Sequence, residues 1–154
     1  MRWENYEISI MRLSTKTLYG TRLMFELAMN HNKGVMRLGD MARNQGLSEK
    51  YSEQIISLLK SAGLVLAQRG AEGGYTLARP PYNINMKEIV ETLEGSLLMA
   101  DYDEGAVQTE SSRFINFRVW DKLSEKIGEI LSTITLDDLI KEFIGRSSQL
   151  NYEI

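Results

Sequence analysis

LGDMARNQGLSEKYSEQIISLLKSAG, residues 38–63, decides the fold, because it holds two helix-forming segments separated by a very short link. The first segment, 38–45, stops at Gly46, since glycine commonly ends a helix in the left-handed conformation. Ser48 can cap the second helix, predicted over 49–62, and Gly63 closes it. The apolar residues of this second helix form one stripe: Tyr51, Ile55, Leu58, Leu59 and Ala62. This pattern is typical of a helix-turn-helix motif.

The opposite side of the second helix is polar and carries Lys50, Glu53, Gln54, Ser57 and Ser61. Glutamate can accept a hydrogen bond from the cytosine amino group, glutamine can pair with adenine, and lysine can reach guanine or phosphate. These side chains are therefore candidates for reading base edges in DNA. The alternative is an ordinary solvent-facing surface, on which Lys50 and Glu53 are an i, i+3 pair.

A two-stranded hairpin, called the wing below, is predicted after this helix, with strands over 64–69 and 75–78 and a turn over 70–74. Arg69 ends the first strand, where its guanidinium could enter an adjacent minor groove. Gly73 and Gly74 would let the backbone approach phosphate closely. The alternative for Arg69 is a surface arginine beside a tight turn.

Helices are predicted on both sides of the motif. A helix capped by Ser14 runs to about Met29, and another opens at Asn85 with a capping-box-like pattern and stops near Gly95. A long helix over 113–133 then precedes a short final helix that is capped by the Thr135 and Asp138 pair and ends by Gly145.

The long helix carries an apolar stripe with three- and four-residue steps: Phe117, Trp120, Leu123, Ile127, Ile130, Leu131 and Ile134. Such a stripe needs a partner, and the same helix of a second subunit is the predicted one. The alternative is that the stripe packs onto its own domain.

Charge divides the chain into a basic and an acidic part. Residues 12–79 carry ten Lys and Arg against five Asp and Glu, while the rest carries eight against sixteen, which gives +5 and −8 within the total of −3. Such asymmetry suggests that the first part binds a polyanion. The candidates for phosphate contacts, which position a protein without reading sequence, are Arg12, Lys16, Arg22, Arg37 and Arg43.

Several function classes are excluded or disfavoured. The chain has no cysteine, so disulfides, thiolate metal sites and cysteine nucleophiles are excluded. The one histidine, His31, lies in a polar run and is expected to be a loop residue and not a catalytic base. No apolar stretch is long enough to span a membrane, and no secretory signal is present, so a cytoplasmic protein without enzymatic activity is predicted.

An ordered series of motifs resembles the Rrf2 family of bacterial transcription regulators. The motifs are MRLSTK (11–16), LGDMA (38–42), QGLS (45–48), YSEQ (51–54), LLKSAGLV (58–65), RG (69–70), GGY (73–75), LARP (77–80) and ITLDDL (134–139). The resemblance implies a homodimer whose winged domains read a partly palindromic operator in double-stranded DNA, with long C-terminal helices that cross between subunits. It also implies base readout by Glu53 and Gln54, neighbouring contacts from Ser48, Lys50 and Tyr51, and minor-groove insertion of Arg69.

This chain departs from the family pattern in two places. The wing tip has Ala71-Glu72-Gly73-Gly74 in place of Pro-Gly-Gly-Gly, and the added carboxylate disfavours tight phosphate contact. The three cysteines that cluster-binding members carry are absent, so no iron–sulfur cluster is expected and no cofactor is predicted. A regulatory protein or a small-molecule effector would then carry the signal. A cation held by Asp101, Asp103, Glu104 and Glu110 is a weaker alternative to a solvated acidic loop.

The predicted fold is mainly α, a winged helix-turn-helix with a two-stranded β wing and a long C-terminal dimerisation helix. The predicted parts are an N-terminal extension (1–10), the winged domain (11–95), an acidic connecting loop (96–112), the dimerisation and final helices (113–145) and a tail (146–154). The predicted function is sequence-specific DNA binding by a repressor. The alternative is a protein-interaction adaptor that no longer binds DNA.

Overall fold

A computed structural model describes residues 13–97 and 108–152 of the chain. Its elements are α1 (Thr15–Met29), α2 (Leu38–Asn44), α3 (Glu49–Ser61), β1 (Val65–Gln68), β2 (Gly74–Leu77), α4 (Met86–Glu94), α5 (Glu110–Ile115), α6 (Lys122–Thr133) and α7 (Leu136–Tyr152). A 3-10 turn at Pro81–Asn83 precedes α4. A π-helical stretch at Asn116–Asp121, called the π segment below, joins α5 to α6 in one long helix. The predicted extension, 1–10, and most of the predicted acidic loop lie outside the described residues.

The helix-turn-helix forms as predicted, because local interactions fix the junction between its two helices. The Ser48 hydroxyl caps α3 by accepting a hydrogen bond from the Tyr51 backbone N–H at 3.2 Å. Gly46, in the link between α2 and α3, has a φ of 65°, in the left-handed region where glycine is favoured. The predicted mainly helical fold with a two-stranded wing is confirmed.

The buried face of α3 differs from the predicted stripe by part of a turn. Ile55 and Leu59 are buried as predicted, but Leu58 is 42% exposed and Ala62 is also exposed. Their places in the core are taken by buried residues that were not included, namely Ser52 and Ile56. The prediction was wrong at these positions because the neighbours of a helix, here α1, α4 and β1, select which part of a broad apolar side turns inward.

The core lies between α1, α3 and α4, and Gly20 sets how closely α1 and α4 approach. A Cβ atom at Gly20 would lie 2.2 Å from Cδ1 of Leu93, so any side chain there would displace the buried Leu93 side chain. Glycine lowers helix propensity, so its presence inside α1 is explained by this contact.

The wing is an antiparallel pair in which Val65 lies opposite Leu77 and Gln68 opposite Gly74. A third backbone segment joins it at Met36, which exchanges two backbone hydrogen bonds with Tyr75 at 2.8 and 2.9 Å. The wing is therefore held to the segment that leads into α2 as well as to the end of α3.

The C-terminal part of the chain returns to the winged domain. The Met86 N–H donates to the Ile134 carbonyl at 2.8 Å, and the Leu136 N–H donates to the Ile84 carbonyl at 3.0 Å. Leu136 is fully buried in the core, and the Phe25 and Phe143 rings pack edge to face. Residues after Gly95 thus complete the core of the domain that precedes them.

Two predicted helix ends are corrected. The long helix begins at Glu110, capped by the Thr109 hydroxyl, and not near Arg113. The final helix does not end by Gly145 but continues to Tyr152, because an exposed glycine with open space around it does not by itself break a helix. Within the described ranges, no helix combines the length and apolar character that a membrane crossing needs.

Candidate nucleic-acid interface

The polar face of α3 is exposed, as base reading would require. Ser48, Lys50, Glu53, Gln54 and Ser57 are all exposed to solvent. Tyr51 differs from them, since it is half-buried and packs its ring edge to face against Tyr19 at 6.0 Å between centroids. We call Ser48, Lys50, Glu53, Gln54 and Ser57 the reading face.

The start of the reading face is fixed by contacts that α3 makes with itself and with α2. The Ser52 hydroxyl donates to the Ser48 carbonyl at 3.0 Å and lies fully buried. The Glu49 carboxylate lies beside Gly39 in the first turn of α2, where the helix dipole favours a negative charge. The first turn of α3 is therefore positioned by packing on one side while its other side remains open.

Three of the arginines predicted to contact phosphate bind groups of the protein itself. Arg22 donates to the Gln45 side chain at 2.8 Å and to its carbonyl at 2.6 Å. Arg37 donates to the Ala71 carbonyl at the wing tip at 3.3 Å, and Arg43 pairs with Asp40 at 3.1 Å. The partners of Arg22 and Arg37 are 23 and 34 residues away and are brought near only by folding, so sequence reasoning missed these contacts, whereas Asp40 is three residues from Arg43 on the same helix. Arg12 lies outside the described residues.

The wing places its candidate residues unequally. Arg69 is exposed at the end of β1, and Glu72 is exposed in the turn that follows. Gly73 and Gly74 are half-buried, and each is needed by the hairpin itself. A Cβ at Gly73 would lie 2.4 Å from the Gln68 carbonyl oxygen, and one at Gly74 would lie 2.6 Å from the Met36 carbonyl oxygen.

Lys16 lies in the first turn of α1 and is half-buried close to Glu94. Burial alone would raise the pKa of Glu94. Hydrogen bonds from Ser14 and Thr17, together with the positive charge of Lys16, outweigh that effect and hold the pKa of this carboxyl below its usual value. Part of the Lys16 charge is therefore already balanced by an acidic neighbour.

The long helix leaves most of its predicted stripe uncovered. Phe117 is 68% exposed and Ile130 61%, and Trp120 and Leu123 are also exposed. Ile127, Leu131 and Ile134 are half-buried beside the domain, where Ser124 and Gly128 of α6 pack on α4. The charged residues of α6 form ion pairs along the helix, Lys122 with Glu125 at 2.7 Å and Lys126 with Glu129 at 2.6 Å.

Comparison with known proteins gives a consistent result. A family model described as Rrf2, iron-dependent transcriptional regulator, matches residues 13–142. The HTH-type transcriptional regulator CymR of Bacillus subtilis strain 168 is 37% identical over 131 residues, which are 84% of this chain and 89% of CymR. Protein rrf2 of Nitratidesulfovibrio vulgaris strain Hildenborough is 31% identical over 133 residues, which are 86% of this chain and 89% of that protein.

Two solved structures agree with these relatives. The structure of CymR, the global cysteine regulator of B. subtilis, has a TM-score of 0.73 at 35% identity and covers 86% of this chain and 98% of its own. The structure of T. potens IscR has a TM-score of 0.68 at 42% identity and covers 85% of this chain and 87% of its own.

The family description mentions iron, but the side chains of this protein do not fit an iron–sulfur cluster. Such clusters are bound through cysteine thiolates, and the sequence contains no cysteine. Over residues 13–97 and 108–152, no three His, Asp or Glu side chains are grouped to hold a metal ion. Asp101, Asp103 and Glu104, the predicted alternative cation ligands, lie outside the described residues.

Proposed function

Since this chain belongs to the Rrf2 family of transcriptional regulators, we propose that it acts as a homodimeric repressor that binds a partly palindromic operator in double-stranded DNA. Its relatives are DNA-binding transcription regulators and not enzymes, and the same holds for this chain. We place its action in the bacterial cytoplasm, where the DNA is.

The reading face is the observation that carries this proposal. It offers a carboxylate, an amide, an ammonium group and two hydroxyls from one exposed side of a helix whose other side is buried. In the major groove, Glu53 would accept from a cytosine amino group and Gln54 would pair with adenine. Lys50 would reach guanine or a nearby phosphate, Ser48 and Ser57 would donate to bases or phosphates, and Tyr51 would support the contact from the edge of the helix.

The wing and α1 would supply contacts on either side of the major groove. Arg69 is exposed at the end of β1 and would enter the adjacent minor groove, where a narrow groove attracts arginine. Lys16 would contact phosphate, and the backbone at Gly73 and Gly74 would pass close to the duplex. Glu72 weakens this contact because its carboxylate faces a polyanion.

The exposed stripe of the long helix supports the homodimer. Seven residues make up the proposed interface: Phe117, Trp120, Leu123, Ile127, Ile130, Leu131 and Ile134. Two-fold pairing would present two reading faces, and successive half-sites on one side of a duplex lie about 34 Å apart or at multiples of that distance. A palindromic operator matches such a protein because both share the two-fold axis.

The signal is proposed to arrive as a regulatory protein or a small-molecule effector, because the chain lacks the thiolates for a cluster. Operator binding would be measured with and without cell extract, separated by ultrafiltration into macromolecular and small-molecule fractions. A change in affinity caused by one fraction alone identifies the class of effector. No change with either fraction contradicts this part of the proposal.

Recovery of genomic fragments bound by the purified protein tests the function. We expect enrichment of fragments with a shared two-fold motif, protected in two half-sites about ten base pairs apart or at multiples of that distance. A reporter downstream of such a motif should rise when the gene for this protein is removed. Unselective recovery of fragments, or a fall in the reporter, would contradict sequence-specific repression.

The internal hydrogen bonds and ion pair of Arg22, Arg37 and Arg43 favour one alternative, an adaptor that binds proteins and not DNA. An adaptor would bind no duplex even at low salt, where phosphate contacts are strongest. Fluorescence anisotropy with a random duplex at low ionic strength distinguishes the two functions.

A further inference from the structure

The long helix changes its winding at the π segment, where hydrogen bonds of the i to i+5 type replace those of the α-helix. A turn of this kind takes up one more residue than an α turn, so it shifts the residues before it to another side of the helix axis. The position of the shift matters here, because it divides the exposed apolar residues into two sets.

The α-helical half after the π segment has a coiled-coil spacing. Leu123, Ile127 and Ile130 are separated by steps of four and three residues, which keep apolar side chains on one narrow line of a helix. If the α-helix were regular, the same steps would continue backwards to Trp120 and then to Asn116. On a regular α-helix, the polar side chain of Asn116 would therefore interrupt the apolar line about two turns before Leu123.

The extra residue of the π segment diverts this line. Ile115 lies eight residues before Leu123. Because the π turn takes up one extra residue, this separation corresponds to seven residues of regular α-helix, or about two turns. Val119 lies midway between them. Ile115 is 49% exposed, Val119 46% and Leu123 38%, so all three are open to a partner. The result is an uninterrupted apolar line, called the seam below: Ile115, Val119, Leu123, Ile127 and Ile130.

We propose that the π segment aligns the seam, and that the occupant of the seam is the seam of a second copy of this chain. This inference rests on the homodimer of the proposed function and adds Ile115 and Val119 to its interface. Phe117 and Trp120 then flank the seam.

Three observations favour a second copy as the occupant. A seam with steps of three and four residues fits another helix with the same steps, and a two-fold axis supplies one. The charges of α6 pair along their own helix, Lys122 with Glu125 and Lys126 with Glu129, and none of them occupies a position of the seam. No residue of α5 or the π segment is buried against the described residues of the single chain, so this half of the helix keeps its apolar side chains accessible to a partner.

A pair of neighbouring substitutions tests the seam. Phe114 is more exposed than Ile115, at 64%, but lies off the seam. The dissociation constant of the full-length dimer would be measured by sedimentation equilibrium, with circular dichroism to verify that each variant is folded. We expect Ile115→Asp to raise the dissociation constant by at least about thirty-fold and Phe114→Asp to raise it by less than about three-fold. Only Ile115→Asp would bury a carboxylate in the dimer interface. An equal or larger effect of Phe114→Asp would overturn the inference.

A second pair changes the helix length at one place. Deletion of Arg118 removes the extra residue and leaves Ile115 seven positions from Leu123, so a regular α-helix keeps the seam and the dissociation constant stays within about three-fold. Insertion of one alanine after Arg118 moves Ile115 off the seam and should raise the dissociation constant by at least about ten-fold. Equal weakening by both changes overturns the alignment by the π segment. A monomeric wild-type protein at micromolar concentration contradicts the proposed homodimer itself, whereas a dimer that tolerates Ile115→Asp contradicts only the seam.

Discussion

The carboxylate of Glu94, at the end of α4, accepts a hydrogen bond from the backbone N–H of Ser14, the N-cap residue of α1. The same carboxylate receives hydrogen bonds from the Ser14 and Thr17 side chains. Glu94 thus joins two helices that enclose the core, and it does so through its charged form.

Glu94→Gln should lower the free energy of unfolding by about 1–2 kcal/mol at neutral pH, because charge-assisted hydrogen bonds are lost. The pKa of Glu94 is lower in the folded chain than its ordinary value of 4.5. A carboxyl whose pKa is lower in the folded chain stabilises the fold at pH values above its ordinary pKa. This stabilisation is lost as the pH falls through the folded-state pKa.

The measurement is urea unfolding of both proteins between pH 7 and pH 3. The difference in stability between the wild type and Glu94→Gln should be constant at neutral pH and shrink once the pH falls below 4.5. Glu91→Gln is the matched control on the same helix, since Glu91 is exposed and its ion pair with Lys87 is long, at 3.9 Å. A difference that grows in acid would contradict the role of Glu94.

The sequence predicted the features that depend on neighbouring residues. Ser14, Ser48 and Asn85 each accept a hydrogen bond from the backbone N–H three residues later, and Thr135 and Asp138 form a reciprocal capping box. The starts of α1, α3, α4 and α7 therefore followed from residue type alone. The exposure of the reading face followed in the same way, because an amphipathic helix in a compact domain turns its polar side outward.

Features that depend on distant residues were not predictable from the sequence. The contact of Arg37 with Ala71 joins positions 34 residues apart, and the burial of Leu136 depends on the return of the chain to Ile84. The π segment contains no glycine or proline that would mark it, and its sequence Asn116–Asp121 is compatible with an ordinary helix. The inward side of α3 was also misplaced in part, because its neighbours determine it.

Gly74→Ala should destabilise the fold by about 2–3 kcal/mol, because the new Cβ would lie 2.6 Å from the Met36 carbonyl oxygen. Relief of that clash would break the two backbone hydrogen bonds between Met36 and Tyr75. Thermal unfolding by circular dichroism measures the effect. Ala71→Ser, at an exposed position of the same hairpin, is the control and should leave the melting temperature unchanged. Equal melting temperatures for Gly74→Ala and the wild type would show that the wing tolerates a side chain there.

Glu72→Gln should strengthen binding to any duplex by about two- to five-fold at low salt, since it removes an exposed carboxylate from the wing turn. The gain should fade as the salt concentration rises, because the repulsion is screened. Anisotropy titrations of cognate and random duplexes at several salt concentrations measure it. Glu142→Gln, an equally charged change on α7 away from the wing, should have no such effect. Unchanged affinity in Glu72→Gln at all salt concentrations would place the wing turn away from the duplex.

Glu53→Ala and Lys16→Ala should affect DNA binding in different ways, because one residue is proposed to read a base and the other to contact phosphate. Glu53→Ala should reduce discrimination at one base pair of the operator by about 1–3 kcal/mol while random duplexes bind as before or more tightly. Lys16→Ala should weaken binding to all duplexes and lower the salt slope by about one. Because Glu94 already balances part of the Lys16 charge, the decrease in the salt slope should not exceed this value.

The control for these two variants is Lys60→Ala, which removes an exposed charge from the last turn of α3, beyond the last residue of the reading face. Lys60→Ala should leave the base preference unchanged and should alter the salt slope only slightly. Binding would be measured with the operator and with its single-base variants, so that each protein gives a full preference profile. If Glu53→Ala and Lys16→Ala lowered the affinity for cognate and random DNA by the same factor, neither residue would have its proposed role, and the reading face would have to be sought elsewhere on the domain.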